Sequence, residues 1–141
     1  MPLTTDPAAR LVEALRAFAD GDLERWLELC HDDVLFEFPF APAGRPRQVR
    51  GRDAVTTYLR AVSDGTSARA IREVTTYRTQ DPSVVVLEMT VRGRHRGGTG
   101  PSRTIDTSSI AVVTMRGDRI ARYRDYWNPN GGQVVETGAA S

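Results

Sequence analysis

The stretch Ile120-Ala-Arg-Tyr-Arg-Asp-Tyr-Trp-Asn-Pro129 reads as a strand that ends at a proline. With a period of two, Ala121, Tyr123, Asp125 and Trp127 share one face, and Ile120, Arg122, Arg124 and Tyr126 share the other. One carboxylate thus sits between two aromatic rings on its own face. If that face is covered, Asp125 loses water, its charged form is disfavoured and its pKa rises. Such a shift makes a carboxyl group usable as an acid or base near neutral pH. The competing reading is a strand-end aspartate in solvent or bonded to nearby backbone.

Working back from this strand, the period of two extends to about Ala70. Strands are expected near 70–79, 83–94, 103–115 and 119–127, with turns at Gln80-Asp81-Pro82 and Arg116-Gly117-Asp118. The N-terminal half has helical spacing instead. Asp6-Pro7 is an N-cap followed by proline at the first helical position, and Ala8, Leu11, Val12, Leu15 and Phe18 repeat on one face before Gly21. Asp22 caps a second short helix with Leu23, Trp26, Leu27 and Cys30 as its apolar stripe. His31-Asp32-Asp33 interrupts the pattern before a strand Val34–Phe40, in which Phe36, Phe38 and Phe40 alternate and Pro39 favours an edge or strand end. Residues 41–50 form a Pro/Gly/Arg loop, and Asp53–Ser63 a third helix with Val55, Tyr58, Leu59 and Val62 on one face. This order predicts an α+β fold, with three N-terminal helices on one face of a strongly curved antiparallel sheet. Residues 1–129 make one domain, and 130–141 a flexible tail. A curved sheet covered by helices encloses an apolar space suited to a small molecule.

Composition narrows the function. The chain has 141 residues, 40% of them hydrophobic, and a formal charge of +1, so no general attraction to nucleic acid is expected. No apolar run reaches the roughly 18 residues of a membrane span, and no secretory signal is recognisable. A lone cysteine excludes an intrachain disulfide and fits the cytoplasm, where Cys30 serves as a small core residue. All 19 basic residues are arginine, so no lysine is available for a Schiff base. His95 falls in a loop and has no second ligand at metal spacing. The arginines at 45–52 and 92–96 read as solvated faces that would favour an anion only if they converged on the pocket mouth.

Three segments carry a resemblance: Phe36-Glu-Phe-Pro-Phe-Ala-Pro42, Arg50-Gly-Arg-Asp-Ala-Val55 and Tyr123-Arg-Asp-Tyr-Trp-Asn-Pro129. They resemble the SnoaL-like group of the nuclear transport factor 2-like superfamily, which includes polyketide cyclases. The spacing of Arg50-Gly-Arg52, Thr79-Gln-Asp-Pro82 and Asp125-Tyr-Trp-Asn-Pro129 is similar to phenazine-biosynthesis A/B-like proteins. The resemblance implies a cone-shaped α+β barrel, a homodimer formed through the open face of the sheet, and a small-molecule substrate. It also implies that Asp125 stands where the phenazine-type proteins have an acid/base glutamate, and Tyr58 where they have a pocket histidine. The Asp–His dyad of polyketide cyclases is absent. Asp106, Arg103 and Asp125 are the residue types used by limonene epoxide hydrolases, without their spacing.

Register decides what faces Asp125. A two-residue turn at Gly117-Asp118 pairs it with Ile110 and puts Ser108 and Asp106 on its side; a three-residue turn pairs it with Ser109 and brings Thr107. Asp106 then lies about four residues away, roughly 13 Å along the strands, too far to share a proton. Glu37, opposite the phenylalanine face, reads as solvated, and Glu88 as half of a structural ion pair with an arginine. The leading expectation is a cofactor-free, metal-free pocket enzyme. Asp125 is its acid/base, and Tyr58, Tyr123, Trp127, Trp26, Phe38, Thr107 and Ser109 contact a planar aromatic or polycyclic substrate. Cyclisation, isomerisation or condensation beside a carbonyl or imine is the reaction class. The rival is a non-catalytic binding protein with the same pocket.

Overall fold

The computed structural model describes residues 6–64, 66–95, 101, 103–129 and 132–137. Helix α1 (Pro7–Ala19) begins as its sequence dictates, with the Asp6 carboxylate accepting from the Ala8 amide at 3.1 Å. It buries Ala8, Leu11, Ala14 and Leu15 and ends at Gly21, whose φ of +97° suits glycine. Helix α2 (Leu23–Glu28) is capped by Asp22 and buries Trp26 and Leu27. Helix α3 (Arg52–Asp64) follows Gly51, which has φ +93°.

The described residues form seven strands: β1 (Cys30–Glu37), β2 (Gln48–Arg50), β3 (Thr66–Arg78), β4 (Val84–His95), β5 (Arg103–Arg116), β6 (Arg119–Trp127) and β7 (Gln133–Thr137). They form one sheet in the order β2-β1-β6-β5-β4-β3, with β7 also on β5. The α+β class stands, but the sheet is mixed rather than antiparallel, because β1 runs parallel to β6. Hairpin neighbours are forced antiparallel, whereas β1 and β6 are joined by a long excursion through α3 and four strands, which leaves their sense free. The sheet is also open, with β2 and β3 at its edges. Its inner face and the helices enclose the core, which includes Leu11, Trp26, Val34, Val55, Leu87, Val113 and Ile120. No helix among the described residues is long and apolar enough to cross a membrane.

Several boundaries differ from the sequence reading. His31-Asp32-Asp33 does not precede β1 but lies inside it: Cys30 pairs with Ile120 and Leu35 with Arg122, so the segment bulges out of the ladder. Cys30 accordingly opens a strand instead of closing α2, although it is buried as expected. Phe40 lies beyond the strand and is 59% exposed, while Phe36 and Phe38 are buried. The Ala41–Arg50 loop ends in the short strand β2, and His95 ends β4 opposite Arg103 rather than sitting in a loop. Strand β7 occupies part of the stretch read as a frayed tail. It pairs with Arg103–Asp106 of β5, the half that β6 leaves free. Gly132 permits that approach, since a Cβ there would come within 2.4 Å of the Ile105 side chain.

Candidate functional site

The decisive local feature is a bulge in β6. The turn at Gly117-Asp118 has two residues, with Arg116 opposite Arg119 and Met115 opposite Ile120, but Thr114 then pairs with Arg122. Ala121 is thereby left without a partner, and every later residue moves by one position. Strict alternation had placed Ile120 on the face opposite Asp125; because of the bulge, Ile120 is fully buried on the core side together with Tyr123. Asp125 stands opposite Ala111, and Trp127 opposite Ser109. Neither pairing expected from turn length occurs, and the inward hydroxyls are Thr107 and Ser109.

The inner faces of β4, β5 and β6, together with α1, α2, α3 and the loop after β1, enclose a cavity of about 340 Å³. All eight residues singled out from sequence line it: Trp26, Phe38, Tyr58, Thr107, Ser109, Tyr123, Asp125 and Trp127. Tyr58 stacks on Phe38 with ring centroids 5.0 Å apart, and Tyr123 stacks on Phe36 at the same spacing. Trp26 meets Tyr123 edge to face at 5.5 Å. The walls therefore combine aromatic rings with aliphatic side chains such as Leu15, Leu59 and Met89, and their polar atoms are few.

Burial dominates the electrostatics of this space. Loss of water raises the Asp125 pKa from 3.8 to about 7. One of its carboxylate oxygens, Oδ1, is buried without a hydrogen-bond partner, as is Trp26 Nε1. The Tyr123 hydroxyl is pushed well above 10, first by burial and then by the Asp125 charge. Among the described residues, no three His, Cys, Asp or Glu side chains converge as a metal-binding group.

Other candidates fall outside the cavity. Asp106 faces the opposite side of the sheet, where the Arg92 guanidinium donates to both its oxygens at 2.7 and 3.0 Å and lowers its pKa. Ser108 also faces outward, 3.0 Å from the Thr90 hydroxyl. Glu37 is not simply solvated: it accepts from Arg122 and Arg124, its side chain only 21% exposed. Glu88 is exposed and accepts from the Tyr77 hydroxyl at 2.8 Å, in place of the arginine expected. The Arg50-Gly-Arg52 motif is structural. Gly51 N–H donates to the Val34 carbonyl at 2.8 Å, and Arg52 donates to the Cys30 carbonyl at 2.6 Å and pairs with Asp32 at 3.1 Å. Cys30 is buried and its thiol pushed up to about 12, which leaves it protonated. Sequence reasoning missed Ile71, Val91 and Gly93 as cavity residues, and it read Arg45 as part of a solvated face that would matter only at the pocket mouth. Only Gly44, with φ +87° beside Arg45, was a local sign of a specific turn.

The SnoaL-like domain family matches residues 10–123. The chain belongs to this family. It is 37% identical over 122 residues to the uncharacterized protein YesE of Bacillus subtilis, covering 83% of this chain and 80% of that one. An uncharacterized PhzA/B-like protein of Pseudomonas aeruginosa is 31% identical over 121 residues, covering 84% and 82% respectively. Among solved structures, a Bacillus subtilis protein provisionally described as an isomerase superposes with a TM-score of 0.75 at 32% identity, covering 89% of this chain and 91% of its own. An NTF2-like protein of Anabaena variabilis shares the fold with a TM-score of 0.73 at 21% identity, over 93% and 96% of the two chains.

Proposed function

We propose that this SnoaL-like protein is a cofactor-free enzyme of specialised metabolism that moves a proton beside a carbonyl or imine of a planar, aromatic or polycyclic small molecule. The observation that carries the reading is Asp125: a carboxyl group on the wall of an aromatic cavity, one oxygen unpartnered, with a pKa raised to about 7. As a carboxylate it removes a proton from the carbon next to the carbonyl; as the acid so formed it returns the proton elsewhere on the same molecule. Tyr123 and Trp127 flank it as a flat wall. Tyr58, Trp26, Thr107 and Ser109 supply donors that orient the carbonyl, and Phe38 fixes Tyr58 by stacking. Cyclisation, isomerisation and condensation all follow from that proton transfer.

The cone-shaped dimer implied by family resemblance belongs to the same proposal. The outer face of the sheet supports it, since Ile110 is 44% exposed there and Phe40 meets Tyr126 edge to face at 5.5 Å. A cytoplasmic location accords with a free buried thiol at Cys30. The test of the activity is exchange of the α-protons of 2-tetralone, a neutral bicyclic ketone, followed by NMR in deuterated water. The enzyme should accelerate exchange, and Asp125→Asn should abolish the acceleration. Binding of the ketone with no exchange by the native protein would favour the rival reading, a non-catalytic ligand-binding protein.

A further inference from the structure

Arg45 is the one cation among the described residues that line the cavity. Its position is built by local sequence. In Pro42-Ala-Gly-Arg45, Gly44 adopts φ +87° and the Arg45 amide donates to the Pro42 carbonyl at 3.1 Å, a turn that requires glycine at its third position. The turn sets the Arg45 guanidinium over the Trp127 ring, 5.9 Å from its centroid. Arginines on the outer face of the sheet have carboxylates: Arg92 holds Asp106, and Arg122 and Arg124 share Glu37. Arg45 has a ring instead, and it is exposed at the mouth of a mostly apolar space.

We infer that the substrate is an organic anion, a planar carboxylate whose charged group is held by Arg45 at the mouth while its ring system lies along Trp127 toward Asp125. This rests on the proposed reading of the cavity and specifies its substrate class. A guanidinium matches a carboxylate with two parallel hydrogen bonds, and it already lies against the aromatic face on which the ligand's rings would rest. An anion at the mouth stays partly hydrated, whereas one driven to the interior would meet the Asp125 carboxylate in a dry site.

The inference is tested with two isosteric probes, 2-naphthoate and 2-naphthamide, titrated calorimetrically at pH 6 and low salt. At that pH the naphthoate is charged and Asp125 is mostly protonated. The native protein should bind naphthoate about tenfold more tightly than the amide. Arg45→Gln should bring naphthoate down to the affinity of the amide, with native circular dichroism. Equal affinities in the native protein, a preference that survives Arg45→Gln, or binding of neither probe would each overturn it. The exchange assay is independent because 2-tetralone carries no charge. Exchange without anion preference sinks this inference alone, and anion preference without exchange sinks only the catalytic reading.

Discussion

Ala111 stands directly across the β5–β6 ladder from Asp125 and is fully buried. A methyl group offers the carboxylate neither a donor nor a countercharge, and it leaves room in front of the strand. The isolation of Asp125 is therefore a property of register. One step in either direction would pair it with Ile110 or Val112 and turn its carboxylate to the outer face of the sheet.

Asp125 should leave a signature in stability as well as activity. The folded state holds its proton more tightly than the unfolded chain, with a pKa of about 7 against 3.8. The stabilisation linked to that proton is whole below about pH 4 and is lost as pH rises through about 7. At full ionisation the loss is on the order of 4 kcal/mol. Asp125→Asn carries no such ionisation. Urea unfolding at pH 5 and pH 9 should show the variant gaining on the native protein at the higher pH. A constant difference between them would contradict a buried, titrating Asp125.

The same ionisation governs rate. Removal of an α-proton needs the carboxylate, so exchange of 2-tetralone by the native protein should rise with pH and level off above about 7. Asp125→Asn should lower the rate about 10² to 10⁴-fold, the usual contribution of one positioned acid or base. Asp125→Glu, which lengthens the side chain by one methylene, should retain part of it.

Gly51 is required for its conformation and not for space. Its φ is +93°, and a Cβ would lie 3.9 Å from the Asp32 carbonyl oxygen, an ordinary contact. Gly51→Ala should thus cost about 1–2 kcal/mol through left-handed backbone alone. A lower thermal midpoint with unchanged ligand affinity would distinguish this from a role in binding.

Cys30 should resist thiol reagents until the protein unfolds. It is buried, and its pKa is pushed up to about 12 by desolvation despite the nearby Arg52 charge. Labelling with a disulfide reagent should follow the unfolding transition in urea, and rapid labelling of the native protein would contradict this burial.

If the outer face of the sheet joins two copies, Ile110→Arg should convert the dimer to a monomer in sedimentation, since it replaces an exposed apolar side chain of that face by a charge. A native protein that already sediments as a monomer would remove the dimer from the proposal.

Much of this protein is local in origin and was legible in its sequence. Asp6-Pro7 and Gly21 bound α1, Asp22 starts α2, and alternation from Ala70 to Trp127 yields four strands, because caps, glycine turns and apolar periods act over a few residues. Six residues of the pocket wall, Trp26, Phe38, Tyr58, Tyr123, Asp125 and Trp127, were found from the same periods, helped by the likeness of Tyr123–Pro129 to a known family, while the choice among Thr107, Ser108 and Ser109 stayed open. What sequence could not supply is relational. The parallel pairing of β1 with β6, the bulges at His31-Asp32-Asp33 and Ala121, and β7 on the free half of β5 depend on which distant strand edges meet. Those bulges decide that Thr107 and Ser109 face inward while Asp106 pairs with Arg92 outside. A side chain's face reverses with a single residue of register, and register is set by packing across the whole sheet. Sequence thus supplied the carboxylate and its aromatic neighbours, and tertiary structure alone decided that Asp125 would be dry and that Arg45 would stand over Trp127 at the mouth.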